Sequence, residues 1–228
     1  MRRIAVCFWL GLVFTTQASA QVVQETDYQA LAERVGTVLD FEEPAFDYEF
    51  QAIHEVWEVG CVTISEGFVG QNVPGFMDWD KSGLVLEPPL RIAPAPTGLN
   101  LVRGNSEQAG SRVLLGVGPK GAFHKEGRGY GAISFLFDQP QSAFGFEFFV
   151  LPQSEGKLRF GPLDVSFFDE GAGIIATFSK GLRKDGSIAF ERPHGVRDIK
   201  GVTISNRVPG GISIDNVLVD CDYLIPLT

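Results

Sequence analysis

Polar residues that interrupt apolar runs are where this chain could do chemistry, and three places stand out. In "GGISIDNVLVDC", residues 210–221, Asp215 and Asn216 lie inside what otherwise reads as a terminal β-strand. In "SAFGFEFFV", Glu147 projects from the face opposite Phe144, Phe146 and Phe148. In "NVPGFMDWDKSG", Phe76 and Trp79 are set among Asp78 and Asp80. Each pattern suits a different task. A glutamate on a central strand is half of the carboxylate pair with which β-sandwich glycosidases cleave sugars. Aromatic platforms flanked by hydrogen-bonding side chains suit the binding of sugar rings. The alternative for each aromatic is structural, a ring that pins a long loop onto the domain.

The other catalytic constellations are missing from the sequence. His54, His124 and His194 are isolated, with no second histidine or cysteine at zinc-ligand spacing. There is no Gly-x-Ser-x-Gly elbow, and "GPKGAFHKEGRGYG" lacks the Gly-Lys-Ser/Thr ending of a phosphate loop. No Glu-x-Asp-x-x-Glu run supplies a second carboxylate for Glu147, so the reading is a non-catalytic protein, with a glycan-active hydrolase as a lesser alternative. Trp57 and Tyr130 are further aromatic candidates for a binding site.

The elements that must position these residues read as strands. Short apolar runs separated by Gly and Pro turns predict "TVLDFEE", "CVTIS", "RVLLGVG", "YGAISFLFDQP", "SAFGFEFFVLP", "LDVSFFDE", "GIIATFS", "SIAFER", "IKGVTISN" and "ISIDNVLV". That spacing predicts an all-β domain over residues 37–228, a two-sheet antiparallel sandwich of jelly-roll type. Hairpins are expected at 169–173 and at 184–186. Residues 21–36 read as a lead-in with a short N-terminal helix, Thr26 and Gln29 having capping-box spacing and Gly36 available to end it. In the last strand Ile212 and Ile214 share one parity, Val217 and Val219 the other. A regular strand cannot bury both sets on one side, so a bulge at 215–216 is predicted.

Arg2 and Arg3, an apolar block from Ile4 to about Phe14 and Ala18-Ser19-Ala20 make residues 1–20 a signal peptide. The mature chain is expected to be secreted or periplasmic, with no membrane insertion after cleavage. Removing the leader leaves Cys61 and Cys221, expected to pair as a disulfide in an oxidising compartment; two separate buried thiols are the alternative. The full chain carries 19 basic and 28 acidic residues, a formal net charge of −9. An acidic surface repels polyanions, so nucleic acid is not an expected partner.

"VLDFEE", "YGAISFLFDQPQSAFGFEF", "LDVSFFDEGAGIIATFS" and "GGISIDNVLV", in that order, resemble exported bacterial jelly-roll domains. The similarity is to the β-sandwiches of PEP-CTERM-type secreted proteins and, distantly, to carbohydrate-binding modules. The C-terminal "CDYLIPLT" departs from the former, lacking the Pro-Glu-Pro motif, so a free rather than anchored protein is expected. The resemblance implies a structural Ca²⁺ held by Glu42 and Asp215, with Asp40 and Asn216 nearby; the alternative is that Asp215 and Asn216 satisfy backbone groups at the bulge. The expected ligand is an extracellular glycan or another surface component, and the aromatic and acidic pattern of Phe76, Asp78, Trp79 and Asp80 makes them the expected binding residues. An adhesive or structural protein acting through protein contacts is the competing function.

Overall fold

The computed structural model describes residues 22–42, 49–71, 87–93, 101–118, 120–121, 128–152 and 161–221. The segment 1–20 read as a signal peptide, His124, and the proposed ligand residues Phe76, Asp78, Trp79 and Asp80 lie outside the described residues.

Alternating apolar residues fold into two antiparallel sheets. The larger contains β1 (Gln24–Thr26), β2 (Thr37–Leu39), β3 (Phe50–Ile53), β6 (Leu101–Ser106), β7 (Ser111–Gly116), β9 (Ala143–Val150), β12 (Gly186–Glu191) and β14 (Ile212–Val219). The smaller contains β4 (Trp57–Val59), β5 (Val62–Ser65), β8 (Ile133–Gln141), β10 (Gly161–Phe168), β11 (Ile174–Leu182) and β13 (Ile199–Asn206). Their orders are β1-β12-β9-β14-β7-β6-β3, with β2 added beside β14, and β11-β10-β13-β8-β5-β4. From β7 onward every connection but the β10–β11 hairpin crosses between the sheets, building the two-sheet antiparallel sandwich expected from the sequence.

The period of two decides what is buried. Phe144, Phe146 and Phe148 of β9 point inward, against Phe135 and Phe137 of β8 and Phe167 of β10. Their rings meet at tilted or edge-on angles; Phe135 and Phe144 have centroids 5.3 Å apart. Each fully buried Phe contributes roughly 1.5–3 kcal/mol, so this stack is a main source of stability. Cys61, between β4 and β5, is disulfide-bonded to Cys221 just after β14, with Cα atoms 6.4 Å apart. The bond ties one sheet to the other at the end of the last strand.

Two local expectations are corrected. The connection at 184–186 is not a hairpin, because β11 and β12 belong to different sheets; Asp185 there accepts a hydrogen bond from the Val150 amide at 2.7 Å. Leu182 and Ile188 both face the common core, which the chain can satisfy only by crossing from one sheet to the other. The hairpin at 169–173 joins β10 to β11, with Asp169 Oδ1 accepting from the Gly173 amide at 2.8 Å. At the N-terminus the capping residue is Asp27, not Thr26: its Oδ1 accepts from the Ala30 amide at 2.8 Å and opens the one-turn helix α1, Tyr28–Ala32. Thr26 is instead paired in β1 with Ala189.

The lead-in is built into the domain. β1 lengthens the large sheet beside β12, and α1 lays Tyr28 and Leu31 on its outer face over Ala143, Ala189 and Leu218. On the other sheet, the residues flanking segment 72–86 cover the outer face: Phe68 and Leu90 pack with Phe168, and Gln71 Nε2 donates to Thr203 Oγ1 at 2.9 Å.

Candidate functional site

The bulge in β14 organises the site. Against β9 the register runs Ile214 to Phe148 and Asp215 to Glu147, then resumes with Leu218 to Gly145, so Asn216 and Val217 together face Phe146. Ile212, Ile214, Val217 and Val219 all reach the core by this one-residue shift. Asn216 takes the left-handed conformation, φ 46°, which asparagine tolerates better than most residues. The partner on the other side of β14 changes at the same place: β7 pairs at Ile214, β2 at Val217–Val219. Glu42, beyond the end of β2, and Ser111, at the start of β7, therefore converge on Asp215.

Asp215 is 1% exposed. One oxygen accepts from Ser111 Oγ at 2.5 Å and the other from the Asn216 amide at 2.7 Å. Burial pushes its pKa up to about 6; the Ser111 and Asn216 hydrogen bonds oppose that shift, and the charges of Glu147 and Glu42 add to it. Asn216 Nδ2 donates to Glu147 Oε2 at 2.8 Å, and Tyr28 Oη donates to the Asn216 carbonyl at 2.7 Å. Burial, then the same two acids Glu147 and Asp215, push the Tyr28 phenol above its usual range.

Glu147 is thus not alone. Its cross-strand neighbour on the same face is Asp215, the second carboxylate that the sequence did not reveal. Both belong to short apolar runs separated by 67 residues of intervening chain, so no linear motif signals the pair. Neither lines the grooves described below, and both are engaged in hydrogen bonds within the domain.

The donors for a hard cation are of the right type: the Asp215 and Glu42 carboxylates and the Ser111 hydroxyl, all oxygen. The charges of Glu147 and Glu42, near enough to add to the rise at Asp215, also leave a local excess of negative charge that a cation would offset. The Arg112 amide donates to Glu42 Oε1 at 2.8 Å and its guanidinium to the Glu42 carbonyl, occupying part of the donor set. Among the described residues no three or more His, Cys, Asp or Glu side chains gather as a metal cage. Any ion there would complete its shell with backbone oxygens and water.

Along β9 and β14 the outer face of the large sheet has three zones. α1 covers Ala143 and Leu218, the carboxylates hold the middle, and beyond them Leu151 and Gly210 border an open groove of about 690 Å³. Its floor is a second apolar layer, Val102, Val113 and Leu115. Arg128 lies over the Phe50 ring at 4.2 Å, a cation–π platform that forms one wall. Glu49, Asn105, Glu107 and Gln108 supply hydrogen-bonding groups at the rim. A shallower hollow of about 350 Å³ shares Asn105, Ser106 and Glu107 with it and leads to Glu42 and Ser111. The clue available in the sequence was "RVLLGVG", apolar at both parities. In an antiparallel sheet that pattern signals an outer face that is not simply solvated.

The other aromatic candidates lie away from the groove. Tyr130 is buried, and Trp57 packs 5.8 Å from the Phe41 ring with the Arg103 guanidinium 5.5 Å above it. His54 lines a separate hollow with Trp57 and Arg103, and His194 belongs to a single 3-10 turn, Pro193–Gly195.

No protein-family model matches the sequence, and no curated protein does. Solved structures with partial similarity include the CBM22-1 and GH10 modules of a Clostridium thermocellum endo-1,4-β-D-xylanase complexed with xylohexaose. That match has 12% identity over 52% of this chain and 23% of that one, with a TM-score of 0.29. An arabinose-bound α-L-arabinofuranosidase matches at 14% identity over 52% and 22%, TM-score 0.33. The enzymatically active domain of tailspike protein 4 of bacteriophage CBA120 matches at 15% identity over 52% and 17%, TM-score 0.30. In each case the chain spans less than a quarter of the other protein.

Proposed function

We propose that this protein is an exported β-sandwich that binds a glycan, without turnover, in the groove of its large sheet. The observation that carries the reading is the groove itself: an apolar floor, the Arg128–Phe50 platform and a rim of carboxylates and amides in one concavity. Sugar rings present apolar C–H faces and a girdle of hydroxyls, and such a surface offers a partner for each. Binding rather than hydrolysis is supported by the engagement of Asp215 and Glu147 in internal hydrogen bonds away from the groove. The Cys61–Cys221 disulfide fits an oxidising compartment, and among the described residues no helix is long and apolar enough to cross a membrane.

The test is a glycan array probed with wild type, Phe50→Ala, Arg128→Ala and Trp79→Ala. Binding by wild type that is lost in the first two variants and kept in the third supports the groove. Loss only in Trp79→Ala moves the site to the 76–80 segment, and no binding to any glycan sinks the reading. Release of reducing ends during incubation would replace binding with hydrolysis.

A structural Ca²⁺ at Glu42 and Asp215 is part of the proposal. It would offset the charge of buried Asp215 and of Glu42 and hold the ends of β2 and β7 to β14. Thermal melts with chelator and with millimolar Ca²⁺ test it: a rise in Tm for wild type that Asp215→Ala lacks is the expected result, and equal curves would remove the ion.

Protein–protein adhesion is the second reading, favoured by one feature. β11 is an edge strand with Ile174 49% exposed, the kind of edge to which another strand can add. Concentration-dependent self-association or capture abolished by Lys180→Pro would support it.

A further inference from the structure

We infer that the groove selects uncharged polysaccharides and discriminates against polyuronates and other acidic glycans, an inference that rests on the glycan-binding reading of that groove. The argument is electrostatic. Among the described residues that line it, the groove carries two carboxylates, Glu49 and Glu107, against one cation, Arg128. Arg128 has one face laid on Phe50, leaving its N–H edge as a donor for a hydroxyl or ring oxygen. A ligand carboxylate drawn to that edge would share a partly desolvated concavity with two like charges, where repulsion is screened far less than in bulk water.

The surroundings deepen the bias. The whole chain has a formal net charge of −9, which opposes the approach of any polyanion. An uncharged sugar meets none of these penalties. Its hydroxyls donate to Glu49 and Glu107 and exchange hydrogen bonds with the amides of Asn105 and Gln108, and charge-assisted bonds of this kind are the stronger class.

Affinity electrophoresis with matched polymers tests this. The probes are homogalacturonan and its methyl ester, alginate and its carboxyl-reduced form, and glucuronoxylan and its carboxyl-reduced form, so that within each pair an uncharged group replaces the carboxylate on the same backbone. Wild type, Glu49→Gln/Glu107→Gln, Phe50→Ala and Arg128→Ala are compared at low and moderate salt. The expected result is that the uncharged member of at least one pair binds at least tenfold more tightly than its acidic partner. The double glutamine variant should narrow that gap several-fold, and Phe50→Ala and Arg128→Ala should weaken the uncharged polymer. Equal or tighter binding of the acidic members, lost in Arg128→Ala, overturns the selectivity while leaving the groove as the glycan site. Binding unaffected by Phe50→Ala and Arg128→Ala, or no binding of any polymer, overturns the groove reading together with the inference.

Discussion

Replacing Asp215 by asparagine should change how stability depends on pH, and the size of the change follows from the site. Burial, with Glu147 and Glu42 adding to it, raises this carboxyl to about 6 from 3.8 despite hydrogen bonds from Ser111 and Asn216. A folded-state pKa above the unfolded value means the native state holds the proton more tightly. The stabilisation is therefore fully present below about pH 4 and is lost as pH rises through about 6. About two pKa units at 1.36 kcal/mol each correspond to roughly 3 kcal/mol between pH 4 and pH 8. Asparagine cannot ionise, but it can accept only one of the two hydrogen bonds cleanly, a pH-independent cost of about 1 kcal/mol. The variant should thus be about 1 kcal/mol less stable than wild type at pH 4 and about 2 kcal/mol more stable at pH 8. Urea unfolding of both proteins at several pH values, in chelator and with the disulfide intact, measures the difference and cancels the titrating groups that do not interact with position 215. Parallel curves, with a constant gap from pH 4 to pH 8, would refute the reasoning. Millimolar Ca²⁺ should abolish the crossover by restoring wild type at pH 8, if the carboxylate gains a cation there.

Other outcomes are equally specific. Removing both cysteines as Cys61→Ala/Cys221→Ala releases a closure across 160 residues of sequence, worth up to about 5 kcal/mol in the chain-entropy model; a urea-midpoint loss under about 1 kcal/mol would show that the bond adds little to the packed sheets. Tyr28→Phe removes the hydroxyl's bond to the Asn216 carbonyl and should cost about 1 kcal/mol in chemical denaturation, with glycan affinity unchanged. Asn216→Val places a β-branched residue at φ 46° and should cost about 2 kcal/mol or more, whereas Asn216→Gly should cost less; reversal of that order would argue against backbone strain at the bulge. Gly131→Ala would put a methyl carbon 2.4 Å from the Val117 carbonyl oxygen and should destabilise by about 1–3 kcal/mol, read as a lowered Tm.

What could be read from sequence was whatever local periodicity expresses. The change of parity between Ile214 and Val217 required an extra residue in the last strand, and the register of β14 on β9 has one there. The Phe144, Phe146, Phe148 alternation located the core face of β9. Setting residues 1–20 aside as the expected leader left two cysteines to pair, and they do. Local reading failed where a residue's role depends on its neighbours across strands. At 184–186 the residues "KDG" suit a tight hairpin, yet the flanking strands lie in different sheets, since turn chemistry does not say which sheet a strand joins. Thr26 has the spacing of a cap, but β pairing with Ala189 claims it and Asp27 takes the task.

The site divides along the same line. Periodicity of two and the placement of turn residues determined, from sequence alone, an all-β sandwich with an anomaly at Asp215, because those signals are local and every strand repeats them. Only the tertiary structure decided what the anomaly faces: Glu147 from β9, Ser111 from β7 and Glu42 beyond β2, brought together because β14 changes partners at its bulge. The groove likewise draws Phe50, Asn105 and Arg128 from three separate stretches of chain. A concave surface is a property of how strands are ordered in a sheet, and that order is set by long-range pairing energies that no short window of sequence contains.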